Sequence, residues 1–541
     1  MFSSREKHFH VFDYLEKSVM VPRCTVSILI IALLALLFFQ FQSIFYSPAV
    51  DCMKYFGGDE LWLLSNFREQ ILTGRYYNPY ALGSTLHAGG GIVFGNAWLT
   101  ALLYGLPCVL VNAPLYVVGR SVTLVLSILL VTASILIIQK YTSDWVLSLG
   151  GGILLVANMC FYFTSHSGRY DILIGLLNLV LMFGLTKDLT RGVRSARFIL
   201  LIPFAGILVS PHLLLQLLLP SLVVLFKRPE KRLLQQYASC WALAITGAIF
   251  LYYATWGRID LFGPPPAKPS IFVSFLGSIP IVHPFEFQRQ WTNLLGRLEV
   301  LFRWAPMIMI ALLMGLIILV LRWNKIRSVQ RKSYLLLIGY LIISNILLEN
   351  RDDKYLIYVL PSMVVGLIII AAEVGKGPLP KIALLAFVAL AILIQVPQII
   401  RASHLGKQIT ARNQFCIQQS LRIADSIGPR HTGRMLAYPP AASEVAFATP
   451  NVVTTGFLKL PSSQLSCAGF MDSLNVDYVL AYSYSAFPDS ILEEAPIGNA
   501  LQERGTLLRT WSGHLTDMSC SYAKGVFWGA DTLKLFRWQR R

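Results

Sequence analysis

The sequence predicts a polytopic α-helical membrane protein of about 11 spans that ends in an α/β domain outside the cytoplasm. Apolar residues make up 55% of the 541 positions and charged residues only 14%, whereas a soluble protein carries about 25% charged residues. The apolar residues occur in runs long enough to cross a bilayer. This composition excludes a disordered chain and an ordinary soluble enzyme.

The chain is strongly basic, with 46 Lys and Arg residues, 28 Asp and Glu residues and a formal net charge of +18. In a soluble protein such an excess would suggest a nucleic-acid partner. The sequence has no nucleic-acid motif, and we expect no such partner. In a membrane protein the excess indicates basic cytoplasmic loops. The eight cysteines form no CxxC pair and no Cys/His metal spacing, so neither a zinc module nor a redox motif is predicted.

The first apolar run, 26–46, predicts an uncleaved membrane span. It is long enough to cross the hydrocarbon core and lacks the cleavage site of a signal peptide. Basic residues precede it and place the N-terminus in the cytoplasm. The later apolar runs lie near 121–139, 145–163, 171–186, 198–226, 235–254, 305–321, 333–348, 355–372 and 382–399.

Two stretches decide the topology. The stretch 92–112 is long enough to cross, and 198–226 is either one tilted helix or a hairpin broken at Ser210-Pro211-His212. If 92–112 does not cross and 198–226 is a hairpin, the cytoplasmic side receives sixteen Lys and Arg residues and the short outer connections receive three. This asymmetry favours 11 crossings with the C-terminus outside.

Two larger segments then face outward. The first is the loop 47–120, in which Leu61, Leu64, Phe67 and Ile71 have nearly helical spacing and predict an amphipathic surface helix over 59–72. The second is the tail 401–541, where β-rich pieces such as 476–482 and 532–536 alternate with polar turns. We therefore divide the chain into a membrane domain, 1–400, and an outer α/β domain, 401–541.

The predicted spans are almost free of ionisable residues, whereas ion-coupled transporters keep such residues near the middle of the bilayer. Acids and bases gather instead at the predicted outer ends of the spans. Because four separate connections bring them to the same side, we expect a shared site. The residues are Asp59, Glu60, Arg169, Asp171, His212, Glu349, Arg351, Asp352, Asp353 and Lys354.

These residue types suit transfer from a lipid-linked phosphate sugar. A carboxylate can take the proton of an acceptor hydroxyl as a general base. Arg351 and Lys354 suit an anionic phosphate, Arg as a two-pronged donor and Lys as a point charge, and Tyr355 adds a hydroxyl donor. The lipid tail would stay in the bilayer while its head sits at the outer rim.

Three short motifs in this order resemble the GT-C class of integral membrane glycosyltransferases. They are Phe56-Gly-Gly-Asp59-Glu60, Ser167-Gly-Arg169-Tyr-Asp171, and Arg351-Asp-Asp-Lys354-Tyr355. The protein O-mannosyltransferases and the lipid A aminoarabinose transferases are similar in design. The resemblance covers roughly residues 1–400 and implies a GT-C-like fold, an outward-facing active site and a polyprenyl-phosphate sugar donor.

The resemblance also implies roles for individual residues. Asp59 would be the catalytic base, with inversion at the anomeric carbon. Asp171 would be a second acid that positions the acceptor or a divalent cation. Arg351, Lys354 and Tyr355 match the place where relatives contact the donor phosphate.

Three further residues complete the predicted substrate-binding set, and one acid has two interpretations. Arg169 and His212 lie in the outer connections, and His87 lies where many relatives carry Lys-Pro-Pro. Glu60 belongs to the catalytic acidic pair or serves as an acid at a helix N-terminus, where the helix dipole favours it.

The sequence therefore predicts a glycosyltransferase of a cell inner membrane that moves one hexose or pentose from a polyprenyl phosphate to a lipid, glycan or protein acceptor. No cofactor is required by the motifs, and a divalent metal remains an alternative. A rival interpretation is a lipid or solute transporter or flippase with a structural outer domain. Another is a polymerase or ligase of surface glycans.

Overall fold

The computed structural model describes most of the helices of the membrane domain and the regular elements of the tail. The described residues are 23–43, 64, 67, 71, 98–111, 115–190, 197–227, 230–256, 306–326, 328–347, 353–374, 379–427, 434–437, 452–454, 467–473, 476–484, 495–512 and 530–540.

Thirteen helices are described before the tail sheet. They are α1 (Arg23–Ser43), α2 (Trp98–Leu110), α3 (Leu115–Thr142), α4 (Trp145–Val156), α5 (Met159–Ser165), α6 (Asp171–Thr190), α7 (Phe198–Leu208), α8 (Pro211–Lys227), α9 (Lys231–Trp256), α10 (Pro306–Arg322), α11 (Val329–Leu347), α12 (Leu360–Val374) and α13 (Leu379–Ile427). Two 3₁₀ helices, Trp323–Lys325 and Asp353–Tyr358, precede α11 and α12.

Helix α6 is the centre of the bundle. It packs against α3, α7, α8, α11 and α12, and also against the 3₁₀ helix Asp353–Tyr358. Its apolar residues are therefore buried on several sides, as Ile172, Leu179 and Met182 are. A helix that is apolar all round suits this central position.

Five of the described helical segments are long and apolar enough to span a membrane, or six if one bent pair forms a single span. The other described apolar helices are shorter, such as Phe198–Leu208 and Leu99–Leu110. These observations support a polytopic helical protein. The figure of 11 crossings stays a prediction.

The two stretches that decided the predicted topology adopt short helices. Within 92–112, α2 has 13 residues and a length of roughly 20 Å, less than the roughly 30 Å of the hydrocarbon core. Within 198–226, α7 and α8 are separated at Ser210 and pack against each other. Short elements of this kind are what the alternative with a non-crossing 92–112 and a hairpin at 198–226 requires, and the crossings themselves stay a prediction.

The run 145–163, predicted as one span, is bent by 67° between α4 and α5. The Asn158 side chain accepts a hydrogen bond from the Cys160 backbone N–H and so caps α5. The free carbonyl of Val156 accepts a hydrogen bond from the Gln40 side chain of α1. Polar side chains thus satisfy the backbone groups that the bend exposes.

Helix α13 runs through position 401, where the outer domain was predicted to begin, and ends at Ile427. After it, five strands form one sheet in the order β2-β1-β3-β5-β4. The strands are β1 (Arg434–Ala437), β2 (Val452–Thr454), β3 (Val476–Tyr484), β4 (Gly505–Ser512) and β5 (Ala530–Trp538), with helices α14 (Cys467–Ser473) and α15 (Ala495–Arg504) between them. The predicted strand pieces 476–482 and 532–536 lie within β3 and β5.

The sheet is mixed, because β1 pairs in parallel with β2 and β3, whereas β5 pairs antiparallel with β3 and β4. Asp472 in α14 joins two elements of this unit. It accepts hydrogen bonds from Arg504 of α15 and from the indole N–H of Trp538 in β5, both at 2.8 Å. This pair of contacts fixes α14 against the end of the sheet.

Candidate functional site

The clearest polar site in the described residues lies at the N-terminal end of α6. Asp171, the first residue of the helix, is 2% exposed. Its Oδ2 atom lies 2.8 Å from Nε of Arg169, and its Oδ1 atom accepts a hydrogen bond of 2.8 Å from the hydroxyl of Tyr358. A buried carboxylate is stable only when it is paired and hydrogen-bonded, and here both of its oxygens have a partner.

Tyr358 belongs to the 3₁₀ helix Asp353–Tyr358, which packs along α6. The side-chain amide of Asn178 donates to the Tyr358 carbonyl oxygen at 3.3 Å. Between these two contacts, Gly175 faces Ile357, and a Cβ atom at Gly175 would lie 2.7 Å from the Ile357 carbonyl oxygen. The 3₁₀ helix therefore contacts three positions of one α6 face.

A second group of contacts connects the turn before α6 to α2 and α3. The Tyr104 hydroxyl donates to the Arg169 carbonyl oxygen at 2.9 Å, and the Thr123 hydroxyl lies 3.4 Å from the same oxygen. The Phe67 ring packs against the rings of Tyr104 and Tyr170. Residue 67 comes from the predicted surface helix 59–72, so this segment meets the Arg169–Asp171 turn.

The hairpin between α7 and α8 lies at the same end of the bundle. Thr100, one helical turn before Tyr104 on α2, donates to the Val209 carbonyl oxygen at 3.2 Å. Deeper in the bundle, the amide of Asn178 donates to the side-chain oxygen of Gln216 in α8. Three predicted connections, those near 169, 211 and 354, thus converge at one end.

The opposite end carries basic residues. The Arg331 guanidinium of α11 pairs with Glu373 of α12 and donates to the carbonyl oxygen of Tyr141 at the end of α3. Lys381 of α13 pairs with Asp144, which caps α4, at 2.7 Å. Lys140 and Lys187 lie in the last turns of α3 and α6 at this end. The prediction places this basic end in the cytoplasm and the end with Asp171 at the outer rim, and this orientation stays a prediction.

The structure brings together only some of the predicted site residues. Arg169 and Asp171 form the ion pair described above. The backbone places His212 as the second residue of α8, and Lys354 and Tyr355 in the 3₁₀ helix that contacts Asp171 through Tyr358. Six predicted residues lie outside the described part of the chain: Asp59, Glu60, His87, Glu349, Arg351 and Asp352.

Sequence reasoning missed several residues of this end. Tyr358 lies three residues after Tyr355, and no local sequence pattern singles it out. Tyr104 and Asn178 are isolated polar groups within apolar helices. Arg120, which is 1% exposed near the start of α3, did leave a signal, because a guanidinium inside an apolar run is costly unless it has a partner.

The described residues contain no group of three or more His, Cys, Asp or Glu side chains arranged to hold a metal ion. Each carboxylate oxygen of Asp171 contacts one protein group, Arg169 or Tyr358. The alternative of a divalent cation at Asp171 stays a prediction.

The crystal structure of ArnT from Cupriavidus metallidurans bound to undecaprenyl phosphate aligns with 94% of this chain and 97% of its own, with a TM-score of 0.51 and 10% identity. ArnT, a lipid A aminoarabinose transferase, is a GT-C protein. The chain has the GT-C fold.

Two other solved structures align over similar lengths of this chain. Apo ArnT covers 94% of it with a TM-score of 0.48, and the mycobacterial arabinofuranosyltransferase AftD covers 95% of it at 14% identity with a TM-score of 0.46. The alignment includes only 40% of the AftD chain. No protein-family model and no curated protein sequence matches the chain. The GT-C assignment therefore describes the fold, and the activity is a separate question.

Proposed function

We propose that this protein is a membrane glycosyltransferase that transfers a single sugar from a polyprenyl-phosphate donor to an acceptor hydroxyl outside the cytoplasm. The observation that carries the proposal is the convergence of the Arg169–Asp171 pair, the 3₁₀ helix Asp353–Tyr358 and Phe67 at one end of a GT-C fold. ArnT, the GT-C protein with the matching fold, was solved with undecaprenyl phosphate bound, which supports a polyprenyl-phosphate donor here.

The proposed reaction needs one base and one anion site. The carboxylate of Asp59 takes the proton of the acceptor hydroxyl, and the acceptor oxygen attacks the anomeric carbon from the face opposite the phosphate. The bond from the anomeric carbon to the phosphate oxygen breaks, and its electron pair leaves with the polyprenyl phosphate. The configuration at the anomeric carbon is inverted. The leaving phosphate is already a weak base, so the reaction needs no strong acid.

Charge explains the other proposed roles. Arg351, Lys354 and Tyr355 hold the donor phosphate, because guanidinium and ammonium groups stabilise the negative charge that develops on the leaving group. Arg169, His212 and His87 complete the substrate-binding region, and Glu60 belongs with Asp59 to the catalytic acidic pair. The proposal needs no metal, since the cations of the chain itself can neutralise a single phosphate.

The proposed orientation in the membrane follows from the distribution of basic residues. The end of the bundle that carries Arg331, Lys381 and Lys140 is proposed to face the cytoplasm of an inner membrane. The site around Asp171 then opens on the other side, where a lipid-anchored donor reaches it from the outer leaflet.

Asp59→Asn tests the base. The change removes the proton acceptor and keeps the size of the side chain, so transfer should fall by roughly 100-fold or more, while binding of undecaprenyl phosphate stays within about twofold. Both quantities are measured on protein in lipid nanodiscs, with a panel of undecaprenyl-phosphate hexoses and pentoses as donors and a membrane extract as the acceptor source. Asp51→Asn, eight residues earlier in the same loop, is the matched control and should retain transfer.

The products separate the proposal from its rivals. Wild-type protein that moves the labelled donor between leaflets of a vesicle and leaves the sugar on its lipid would be a transporter. Labelled products that lengthen with time on a gel would indicate a polymerase. Retained turnover in Asp59→Asn would remove this residue from the mechanism and leave the transferase assignment in place.

A further inference from the structure

Both oxygens of the Asp171 carboxylate contact other groups of the protein. It is 2% exposed, Arg169 approaches one of its oxygens to 2.8 Å, and the Tyr358 hydroxyl donates to the other at 2.8 Å. A general base must reach the substrate proton and a cation ligand must direct an oxygen at an open position. Asp171 directs one oxygen at Arg169 and the other at Tyr358, so its observed contacts act on these two groups.

Tyr358 is one of these groups, and it closes the 3₁₀ helix Asp353–Tyr358. Tyr358 is 1% exposed, so without Asp171 its hydroxyl would lose a hydrogen bond to a carboxylate inside the protein. Leaving a buried hydroxyl or a buried guanidinium without its partner is costly. The contact between Asp171 and Tyr358 is thus a strong constraint on where this short helix lies.

The constraint is repeated along one face of α6. Positions 171, 175 and 178 are separated by four and three residues, so they share one face of the helix. Asp171 binds the Tyr358 hydroxyl, Gly175 admits the Ile357 carbonyl group, and Asn178 donates to the Tyr358 carbonyl oxygen. This face of α6 therefore fixes both the side chain and the backbone at the end of the 3₁₀ helix.

We infer that Asp171 is a positioning residue for the donor: through Tyr358 it fixes the 3₁₀ helix Asp353–Tyr358, and so sets the place of the phosphate-binding residues Lys354 and Tyr355. The inference rests on the proposed function and refines it, since Asp171 then acts on the donor side and neither positions the acceptor nor holds a divalent cation. Asn178 and Gly175 help to position the same 3₁₀ helix.

The inference predicts a specific pattern of donor binding. Asp171→Asn and Tyr358→Phe each weaken the bond that holds the 3₁₀ helix, so each should raise the Kd for undecaprenyl phosphate and the donor KM by roughly tenfold. Both variants break the same contact. The double variant should therefore bind undecaprenyl phosphate at most about twofold more weakly than the weaker-binding single variant. The turnover number at saturating donor should change less than the donor KM.

Tyr334→Phe is the matched control. Tyr334 is 0% exposed, and in the described structure its hydroxyl has no hydrogen-bond partner. The residue packs against Tyr141 and Phe183 at the basic end of the bundle, far from α6's first turn. Removing the buried hydroxyl of Tyr334 should leave the Kd for undecaprenyl phosphate, the donor KM and the turnover number unchanged.

The experiment measures the Kd for undecaprenyl phosphate in nanodiscs, the transfer kinetics and the apparent melting temperature of each variant. If Asp171→Asn does not fold, Tyr358→Phe, which keeps the ring and removes one oxygen, carries the test. Lost transfer with an unchanged Kd and donor KM in Tyr358→Phe, or independent and additive losses in the two variants, would overturn the inference.

The wild-type protein separates this inference from the proposed function. A wild-type protein that neither binds undecaprenyl phosphate nor uses any donor of the panel would refute the proposed function, and with it the inference. A wild-type protein that binds and transfers, together with variants that bind the lipid equally well, would refute the inference alone.

Discussion

Gly105 of α2 lies directly against the backbone at Phe67. A Cβ atom at this position would lie 2.3 Å from the Phe67 carbonyl oxygen and 3.1 Å from Cγ1 of Ile71. No side chain fits at such distances without moving the backbone of the loop. Since Phe67 also packs against Tyr170, the position of this glycine affects the site as well as the packing.

Gly105→Ala should therefore displace the loop segment around Phe67. We expect a loss of about 1–3 kcal/mol of stability, seen as a lower apparent melting temperature, and a fall in transfer. Gly339→Ala is the control, because nothing lies within 4 Å of a Cβ atom there, and it should be neutral or stabilise by up to about 1 kcal/mol. Equal effects of the two changes would contradict the close packing of this loop.

Part of this detail was predictable from the sequence. The spacing of Leu64, Phe67 and Ile71 predicted one helical face, and Leu64 and Phe67 are 0% exposed. The sequence motif also singled out Arg169 and Asp171, which form an ion pair. Tyr358 could not be found in this way, because its partner is 187 positions away and no local pattern encodes such a contact.

At the scale of helices, the broken spans are the distinctive feature. A break within a bilayer leaves backbone groups without partners, and lipid offers none. In the described helices, neighbouring elements supply them: Gln40 donates to the Val156 carbonyl group, and Thr100 donates to the Val209 carbonyl group. The breaks are thus held by side chains that come from other parts of the chain.

Gln40→Leu tests this interpretation. The change leaves the Val156 carbonyl group without its donor, so we expect a loss of about 1–3 kcal/mol and a lower apparent melting temperature. Gln42→Leu, at an exposed position of the same helix, is the control and should leave the melting temperature nearly unchanged. A Gln40→Leu protein as stable as the wild type would show that the bend does not depend on this bond.

Sequence reasoning treated the two breaks differently for a physical reason. Proline at position 211 removes a helix hydrogen bond and clashes with the preceding turn, so the break before α8 was foreseen. The break between α4 and α5 has no proline within it, and its 67° bend depends on the Asn158 cap and on Gln40. The capping residue alone is too common a signal to predict a bend inside an apolar run.

At the scale of the whole molecule, the two ends of the bundle differ in chemistry. One end joins the Arg169–Asp171 pair to Tyr358 and to Phe67. The other joins Arg331 and Lys381 to acids on neighbouring helices. Because cytoplasmic loops are enriched in Lys and Arg, the basic end is expected to lie in the cytoplasm and the tail sheet outside.

Cysteine labelling checks this orientation. In a background without native cysteines, Asn324→Cys lies beside α10 at the basic end and Thr510→Cys lies in β4 of the tail; both positions are exposed. A membrane-impermeant maleimide applied to the outer side should label Thr510→Cys at once and Asn324→Cys only after the membrane is opened. Labelling of both from the same side would refute the predicted topology.

By itself, the sequence determined the class of the fold, the apolar segments, the polarity of charge and the short motifs, because each depends on composition or on residues near one another in the chain. Only the tertiary structure decided how α6 brings Asp171 and Asn178 against Tyr358, with Arg169 paired to Asp171. Packing between distant segments selects such contacts, and their partners carry no mark in the local sequence.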